Sequence, residues 1–168
     1  MKKPQSALAD EIRQRKPFDS PRHEALLGLF RAADVLRRRE AGVFEPTGIT
    51  AQQYNVLRIL RGAGKEGLPT LEIVDRMIEQ TPGITRLLDR LEAKGLVQRS
   101  RCTEDRRQVI CRISGGGRRL LATLDGPVRE SGTAALAALS AAEVARLIPL
   151  LDKIRAGNAA GPRMKTAS

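Results

Sequence analysis

The residues of this chain that could bind a ligand through charge are arginines, and they concentrate between residues 81 and 119. Arg86 and Arg90 lie four residues apart in a segment with periodic leucines, and Arg106 and Arg107 stand together in a polar loop further on. Guanidinium groups form paired hydrogen bonds with guanine edges in the major groove and are attracted to narrow minor grooves. The chemistry predicted for this region is binding to double-stranded DNA.

The composition of the whole chain favours a polyanionic partner. Its 168 residues include 30 Lys and Arg against 19 Asp and Glu, which gives a net charge of +11. Basic proteins bind nucleic acid by neutralising phosphates and releasing counterions. No segment approaches the roughly 18–20 apolar residues of a membrane span. The N-terminus lacks the apolar part of a secretory signal. We therefore expect a cytoplasmic protein with no membrane partner.

The sequence offers no catalytic or metal-binding constellation. Cys102, Cys111 and the single His23 lack metal-ligand spacing, and no glycine pattern typical of a nucleotide-binding loop is present. We expect no metal, no cofactor and no enzymatic activity. Cys111 lies on the apolar face of a predicted strand and is expected to be an inert core residue. Cys102, beside Arg101, is a candidate for oxidation, and whether either thiol is redox-active stays open.

Helices with apolar faces flank the basic segment. One is predicted from Pro21 until Gly42 and Pro46 stop it, and another starts at Ser114 and carries leucines on one face. Two capping-box pairs mark further helix starts: Thr50 with Gln53, and Ser140 with Glu143. A core built on leucine, isoleucine and valine suits interlocking helices, because aromatic residues make up only 2% of the chain.

Two short helices precede the arginine-rich loop. Thr70 is predicted to cap the first, and Thr81 the second, with Pro82 at the first helical position and Gly95 after the last. The first helix is predicted to bury Leu71, Val74, Met77 and Ile78. The brief connection between the two helices predicts a helix-turn-helix.

A basic β-hairpin follows the second helix. Residues 96–101 and 109–113 are predicted strands. In the loop between them Asp105 has the wrong charge for phosphate, so we expect it to bond loop backbone or a neighbouring arginine and hold the tip in shape. The alternatives are a charged turn without fixed structure and, on the helix, a solvated face where Arg86 and Arg90 pair with acids such as Asp89.

The order of these pieces resembles the MarR family of bacterial winged-helix transcriptional regulators. The resemblance covers about residues 21–156 and is most specific in TRLLDRLEAKGLV, residues 85–97, in the triplet from Asp105 to Arg107, and in Ser114 with Gly117. It implies a mainly α fold with a minor β part, in which a winged helix-turn-helix is joined to a dimerisation region of N- and C-terminal helices. Gly115 and Gly116 depart from the family pattern, so the start of the long helix is expected to be loose.

The resemblance also assigns residues and segments. The DNA-binding residues that it implies are Thr81, Pro82, Gly83, Thr85, Arg86, Arg106 and Arg107, with Asp105 as the residue that structures the wing. Arg90, on the same outward face of the predicted helix as Arg86, is a further predicted DNA-binding residue. The expected segments are a flexible basic arm (1–20), a helical dimerisation region (21–46 and 114–156), a winged helix-turn-helix lobe (47–113) and a flexible tail (157–168).

The function expected from these features is that of a dimeric repressor that recognises a near-palindromic operator in double-stranded DNA. Its half-sites are expected about one helical turn (~10 bp) apart. A small anionic aromatic effector is a further expectation of the resemblance, with His23, Tyr54 and Arg58 as candidate pocket residues; a surface histidine and a core tyrosine are the alternatives. Two rival functions are a non-specific architectural nucleic-acid-binding protein and a winged-helix protein-interaction module. The operator, the target genes, the effector and the choice between repression and activation stay open.

Overall fold

Helices carry most of the chain, as the sequence predicts. The computed structural model describes residues 6–79, 82–102, 105 and 107–159. The helices in these residues are α1 (Ala7–Glu11), α2 (Pro21–Phe44), α3 (Ala51–Gly62), α4 (Thr70–Arg76), α5 (Ile84–Ala93), α6 (Gly115–Ala135) and α7 (Ala141–Asn158). The chain divides into two compact units, Met1–Val128 and Arg129–Ser168. The expected fold class, mainly α with a winged helix-turn-helix, is confirmed.

Capping side chains set the helix starts where the sequence places them. The Ser20 hydroxyl accepts the backbone N–H of His23 at the start of α2. Both predicted capping boxes, at the starts of α3 and α7, are present. Gly42 does not stop α2, which continues to Phe44 and passes into a 3₁₀ turn, Glu45–Thr47, that contains Pro46. Of the expected basic arm, Ala7–Glu11 forms helix α1.

Val74 and Met77 are half-buried, in line with the predicted apolar stripe, but the predicted burial of Leu71 and Ile78 is wrong for helix α4. Ile73 is its fully buried side chain, whereas Leu71 and Ile78 are each 78% exposed. The helix ends at Arg76 because Met77 has an extended backbone, with φ −66° and ψ 139°. A helix that stops there cannot carry Ile78 on the face that Ile73 turns towards the core.

The predicted caps of the two short helices are also wrong. Pro69, not Thr70, occupies the N-cap of α4, and the Thr70 hydroxyl instead donates to the Val109 carbonyl at 3.4 Å. Helix α5 begins at Ile84, with Gly83 at its N-cap in the left-handed region at φ 96°. Pro82 therefore precedes the helix, and Thr81 lies outside the described residues.

A small antiparallel sheet adjoins the helix-turn-helix. Its strands, β1 (Leu68–Pro69), β2 (Val97–Arg101) and β3 (Val109–Ile113), lie in the order β1–β3–β2. The predicted hairpin is β2 and β3; the sequence analysis took β1 as part of a connector. Gly67 makes this third strand possible, because at φ 74° a side chain there would collide with the Cys111 carbonyl.

The core of the first unit lies between α5 and its neighbours. The largest fully buried side chains come from α3, α4, α5, α6 and the end of α2: Phe44, Leu57, Leu60, Ile73, Leu88, Leu91 and Leu121. Each contributes about 1.5–3 kcal/mol by leaving water. This packing holds the buried face of α5 and leaves its opposite face in solvent.

The glycines at the start of α6 are packed rather than loose. A Cβ on Gly117 would lie 2.8 Å from Ile113 Cγ1 and closer still to the Leu96 carbonyl oxygen. A Cβ on Gly116 would lie 3.2 Å from the Gly95 oxygen, and only at Gly115 is there ordinary room, 3.5 Å from Arg119. The expected looseness is therefore wrong for Gly116, where close approach of the backbone favours glycine. Nothing in the structure explains Gly115.

The second unit contains the end of α6 and helix α7. None of its described residues is buried. Ile148, Leu150 and Ile154 of α7 are each about half exposed. Across the described residues, no helix combines the length and the apolar character that crossing a membrane requires.

Candidate nucleic-acid interface

Helix α5 presents to solvent a face that carries two arginines, with small side chains at its N-terminal end. Thr85, Arg86 and Arg90 are exposed, as are Pro82 and Gly83 in the turn that leads into the helix. The leucines at positions 87, 88 and 91 face the core. Five of the predicted DNA-binding residues are thus on one surface around the start of α5.

Neither arginine of this face is paired with an acid. Among the described residues, Arg86 and Arg90 form no ion pair, and Asp89 pairs with Arg99 instead, at 2.7 Å. The alternative of a solvated face neutralised by Asp89 is therefore wrong. Both guanidinium groups are available to an anionic partner.

A polar groove runs beside the same face. It has a volume of about 630 Å³ and lies between the start of α3 and the outward side of α5, where Arg86, Arg90 and Lys94 line it. The Lys94 ammonium donates to the Gly48 carbonyl, which ties the end of α5 to the chain two residues before the N-cap of α3. The two arginines and Lys94 give the groove a positive charge.

The tip of the hairpin is organised by Asp105. Its carboxylate accepts the backbone N–H of Arg107 at 3.0 Å and the side-chain amide of Gln108 at 3.2 Å. Its carbonyl accepts the Gln108 backbone N–H at 2.9 Å. Arg107 is exposed and forms no ion pair within the described residues, while Arg106 lies outside them. The geometry holds Arg107 at the solvent end of the hairpin.

Arg99 joins the hairpin to helix α5, and the sequence analysis missed it. Its guanidinium donates to Glu92 Oε2 from Nε at 2.8 Å and from Nη2 at 2.5 Å, and Nη2 is 2.7 Å from Asp89 Oδ1. These hydrogen bonds lower the pKa of Glu92 and raise that of Arg99. The signal in the sequence was that Glu92 and Asp89 lie seven and ten residues before Arg99, on the other side of the turn predicted at Gly95.

A separate cavity of about 340 Å³ opens in the first unit, lined by α2, α3, α6 and the segment 77–79 that follows α4. Tyr54 and Arg58 line it, and the Arg58 guanidinium lies 6.0 Å from the centre of the Tyr54 ring. Burial raises the pKa of the Tyr54 phenol, and the charge of Arg58 acts against that rise. Arg37 at the rim pairs with Glu79 at 3.6 Å.

His23 does not belong to this cavity. It lies in the first turn of α2, beside Asp19, whose carboxylate is 3.3 Å from Nδ1. Fourteen helical residues separate it from Arg37, a rise of about 21 Å at 1.5 Å per residue. The predicted grouping of His23 with Tyr54 and Arg58 is therefore wrong within one protomer.

The cysteines occupy different environments. Cys111 is fully buried in β3, and burial raises the pKa of its thiol. Cys102 is half-buried next to the hairpin loop, where its backbone N–H donates to the Gln108 carbonyl. Within the described residues no three His, Cys, Asp or Glu side chains cluster as a metal site.

Comparisons of the sequence and of the structure with known proteins indicate the same family. A sequence model described as the MarR family matches residues 49–109. The crystal structure of a MarR transcription factor from Planctomyces limnophilus is 43% identical, covers 81% of this chain and 98% of its own, and superposes with a TM-score of 0.64. A mutant MarR from E. coli, crystallised in complex with operator DNA, is 27% identical over 89% of this chain and 99% of its own, with a TM-score of 0.69.

A curated relative agrees with these structures. The HTH-type transcriptional regulator FarR of Neisseria gonorrhoeae is 27% identical over 114 residues, which are 68% of this chain and 77% of that protein. The region that matches the family model includes the helix-turn-helix and strand β2 and ends at Val109, the first residue of β3. The chain belongs to the MarR family of transcriptional regulators and is not an enzyme.

Proposed function

We propose that this regulator is a homodimeric repressor that binds a near-palindromic operator in double-stranded DNA. The observation that carries the proposal is that Arg86 and Arg90, on the exposed face of α5, form no ion pair with any residue that the structure describes, and that the neighbouring hairpin presents Arg107 at its tip. A helix of this size fits the major groove, and an arginine at a hairpin tip fits the adjacent minor groove. The E. coli relative bound to operator DNA supports the same partner.

The roles of the arginines differ in this proposal. Arg86 makes two hydrogen bonds to a guanine, and Arg90 contacts phosphate. Arg107, together with Arg106, enters the minor groove, while Pro82, Gly83 and Thr85, with Thr81, let the helix end approach the bases because their side chains are short. Asp105 holds the tip that carries Arg107.

Exposed apolar side chains support the homodimer. Leu26 and Phe30 of α2 are 48% and 60% exposed, and Ile148 and Ile154 of α7 are similarly open to solvent. Apolar residues repeated along helices are expected to be covered by another protein surface. The second copy supplies that surface and a second DNA-binding lobe, which accounts for a two-fold operator. A regulator of this kind works where bacterial DNA lies, in the cytoplasm.

Fluorescence anisotropy with a duplex enriched from a randomised library tests this proposal. Arg86→Ala should weaken operator binding by about 5- to 150-fold, the equivalent of about 1–3 kcal/mol for a bidentate base contact. Arg107→Ala should also lower the slope of log affinity against log salt. Arg22→Ala, which removes an exposed arginine at the start of α2, is the matched control and should bind nearly as the wild type does. Equal binding by all three variants would refute the assignment.

A competition assay distinguishes the proposed sequence-specific repressor from a non-specific architectural protein. A non-specific architectural protein would bind random DNA about as tightly as the enriched duplex, whereas the proposed repressor prefers the enriched duplex by at least about 10³-fold. Light scattering on the same sample measures the oligomer, and a monomer at micromolar concentration contradicts the dimer. Failure to bind any DNA at low salt would instead favour a protein-interaction module.

The cavity beside Tyr54 is proposed to hold a small anionic aromatic effector. Tyr54 and the side chain of Met77 supply an apolar wall, and Arg58 supplies a positive charge without an acidic partner among the described residues. Benzoate should raise the melting temperature and weaken DNA binding, whereas the neutral isostere benzamide should do so far less. Arg58→Gln should abolish the difference between the two compounds, and an unchanged difference would remove Arg58 from the site.

A further inference from the structure

We infer that Arg99 is a positioning residue for DNA binding, which masks the two acids of helix α5 and fixes the hairpin against that helix. This inference rests on the proposed DNA-binding function and extends it to a residue that need not touch DNA. Its basis is a three-residue cluster formed by Asp89, Glu92 and Arg99.

Three donors of Arg99 take part in the cluster: the backbone N–H, Nε and Nη2. The backbone N–H of Arg99 donates to Glu92 Oε1 at 3.2 Å, while its guanidinium donates to Glu92 Oε2 and contacts Asp89. The Arg99 side chain is only 24% exposed, against 51% for Asp89. Partial burial and several simultaneous hydrogen bonds make this cluster more rigid than a single surface ion pair.

The charge of the cluster matters because of what surrounds it. Asp89 lies between Arg86 and Arg90 in sequence, on the helix that is proposed to enter the groove. An uncompensated carboxylate there would repel phosphate and would compete for the neighbouring guanidinium groups. Since Asp89 is engaged by Arg99, both α5 arginines stay available, as the ion-pair pattern shows.

The position of the cluster matters for geometry. Glu92 is in the last turn of α5 and Arg99 is in the middle of β2, which pairs with β3 through Arg99 opposite Cys111. The chain between them turns through Gly95. The hydrogen bond from the Leu96 backbone N–H to the Leu91 carbonyl and the shared burial of Leu91 and Val97 already hold the hairpin near α5, and the cluster adds a side-chain connection. The cluster therefore fixes the distance between the major-groove and minor-groove contacts.

Anisotropy titrations of four proteins against the enriched duplex and a random-sequence duplex separate these two effects. Arg99→Gln exposes both carboxylates and should weaken binding to random DNA on the order of tenfold at low salt, because two negative charges are unmasked near phosphate. The triple variant Asp89→Asn/Glu92→Gln/Arg99→Gln has no charge in the cluster and should recover random-DNA affinity. It should not recover preference for the enriched duplex. Arg99→Lys keeps the positive charge but lacks the planar guanidinium with its several N–H donors. It should therefore keep the affinity for random DNA and lose the preference for the enriched duplex.

The outcomes that overturn the inference are specific. If the triple variant stays as weak as Arg99→Gln on random DNA, Arg99 itself contacts DNA and masks nothing. If Arg99→Lys keeps the full preference for the enriched duplex, the cluster does not position the hairpin, and this readout holds even if Arg99→Gln fails to fold. Circular dichroism melting of each variant checks folding. Failure of the wild type to bind either duplex would refute the proposed function instead.

Discussion

Replacing Gly117 by alanine tests how tightly the start of α6 is packed against the DNA-binding lobe. A Cβ at this position would lie 2.8 Å from Ile113 Cγ1, whereas ordinary contact begins at 3.4 Å, so those atoms must separate by at least 0.6 Å. The Leu96 carbonyl oxygen is closer still and cannot swing away, because it accepts the Ser114 backbone N–H at 3.0 Å. The backbone itself must move.

The expected cost follows from two opposing effects. Overpacking a core position costs about 1–3 kcal/mol. Alanine returns up to about 1 kcal/mol, because glycine has the lower helix propensity. We expect Gly117→Ala to lower the free energy of unfolding by about 1–2 kcal/mol, which corresponds to a fall in melting temperature of about 2–8 °C for a protein of this size.

The glycine two residues earlier supplies the matched control. Gly115 begins the same helix, and its Cβ would meet only the flexible end of Arg119 at 3.5 Å. Gly115→Ala should therefore stabilise the protein by about 0.5–1 kcal/mol. Urea denaturation at a fixed protein concentration measures both variants, because the stability of the proposed dimer would depend on concentration. Equal or greater stability of Gly117→Ala relative to the wild type would refute the packing argument.

Three further predictions concern the hairpin, the thiols and acid stability. Asp105→Ala removes the acceptor that shapes the hairpin tip and should weaken operator binding about fivefold, for the roughly 1 kcal/mol of a lost hydrogen bond; Asp105→Asn, which keeps an acceptor oxygen, should lose less in anisotropy titrations. Cys102 should react with a thiol reagent in the folded protein, whereas Cys111, buried with a raised pKa, should react only on unfolding; rapid labelling of both would contradict the buried assignment. Hydrogen bonds from Ser140 lower the pKa of Glu143 in the folded state, so its stabilising effect relative to Glu143→Gln is present above the unfolded pKa near 4.3 and disappears as pH falls through the lowered folded pKa. Parallel pH-dependent melts of the two proteins would contradict this.

Local sequence signals predicted the parts of the structure that depend on neighbouring residues. The capping box of Thr50 with Gln53 uses side chains three residues apart, so its geometry is contained in the sequence. The same holds for Gly95, whose left-handed backbone ends α5. The alternation of Val109, Cys111 and Ile113 likewise predicted β3, with the last two side chains buried.

Errors arose where distant residues decide the outcome. The core position of Ile73 and the exposure of Leu71 depend on which face of α4 meets the rest of the lobe, and a seven-residue helix has too short a pattern to show it. Strand β1 has only two residues, so no alternation could reveal it. Gly117 of α6 lies close to Leu96 and Ile113, and Arg99 of β2 pairs with Glu92 of α5, so both residues contact a different element of the fold. The spacing of residues in the sequence does not distinguish such positions from ordinary surface positions.

The short strand β1 has a consequence for how this protein behaves when it is concentrated. An open sheet edge is a template on which other chains can add strands and aggregate. Here that edge of the sheet is two residues long, and one of them, Pro69, has no N–H to donate. A strand arriving from another molecule would find almost nothing to pair with. On the β1 side of the sheet, the hairpin therefore offers little on which fibrous assembly could start.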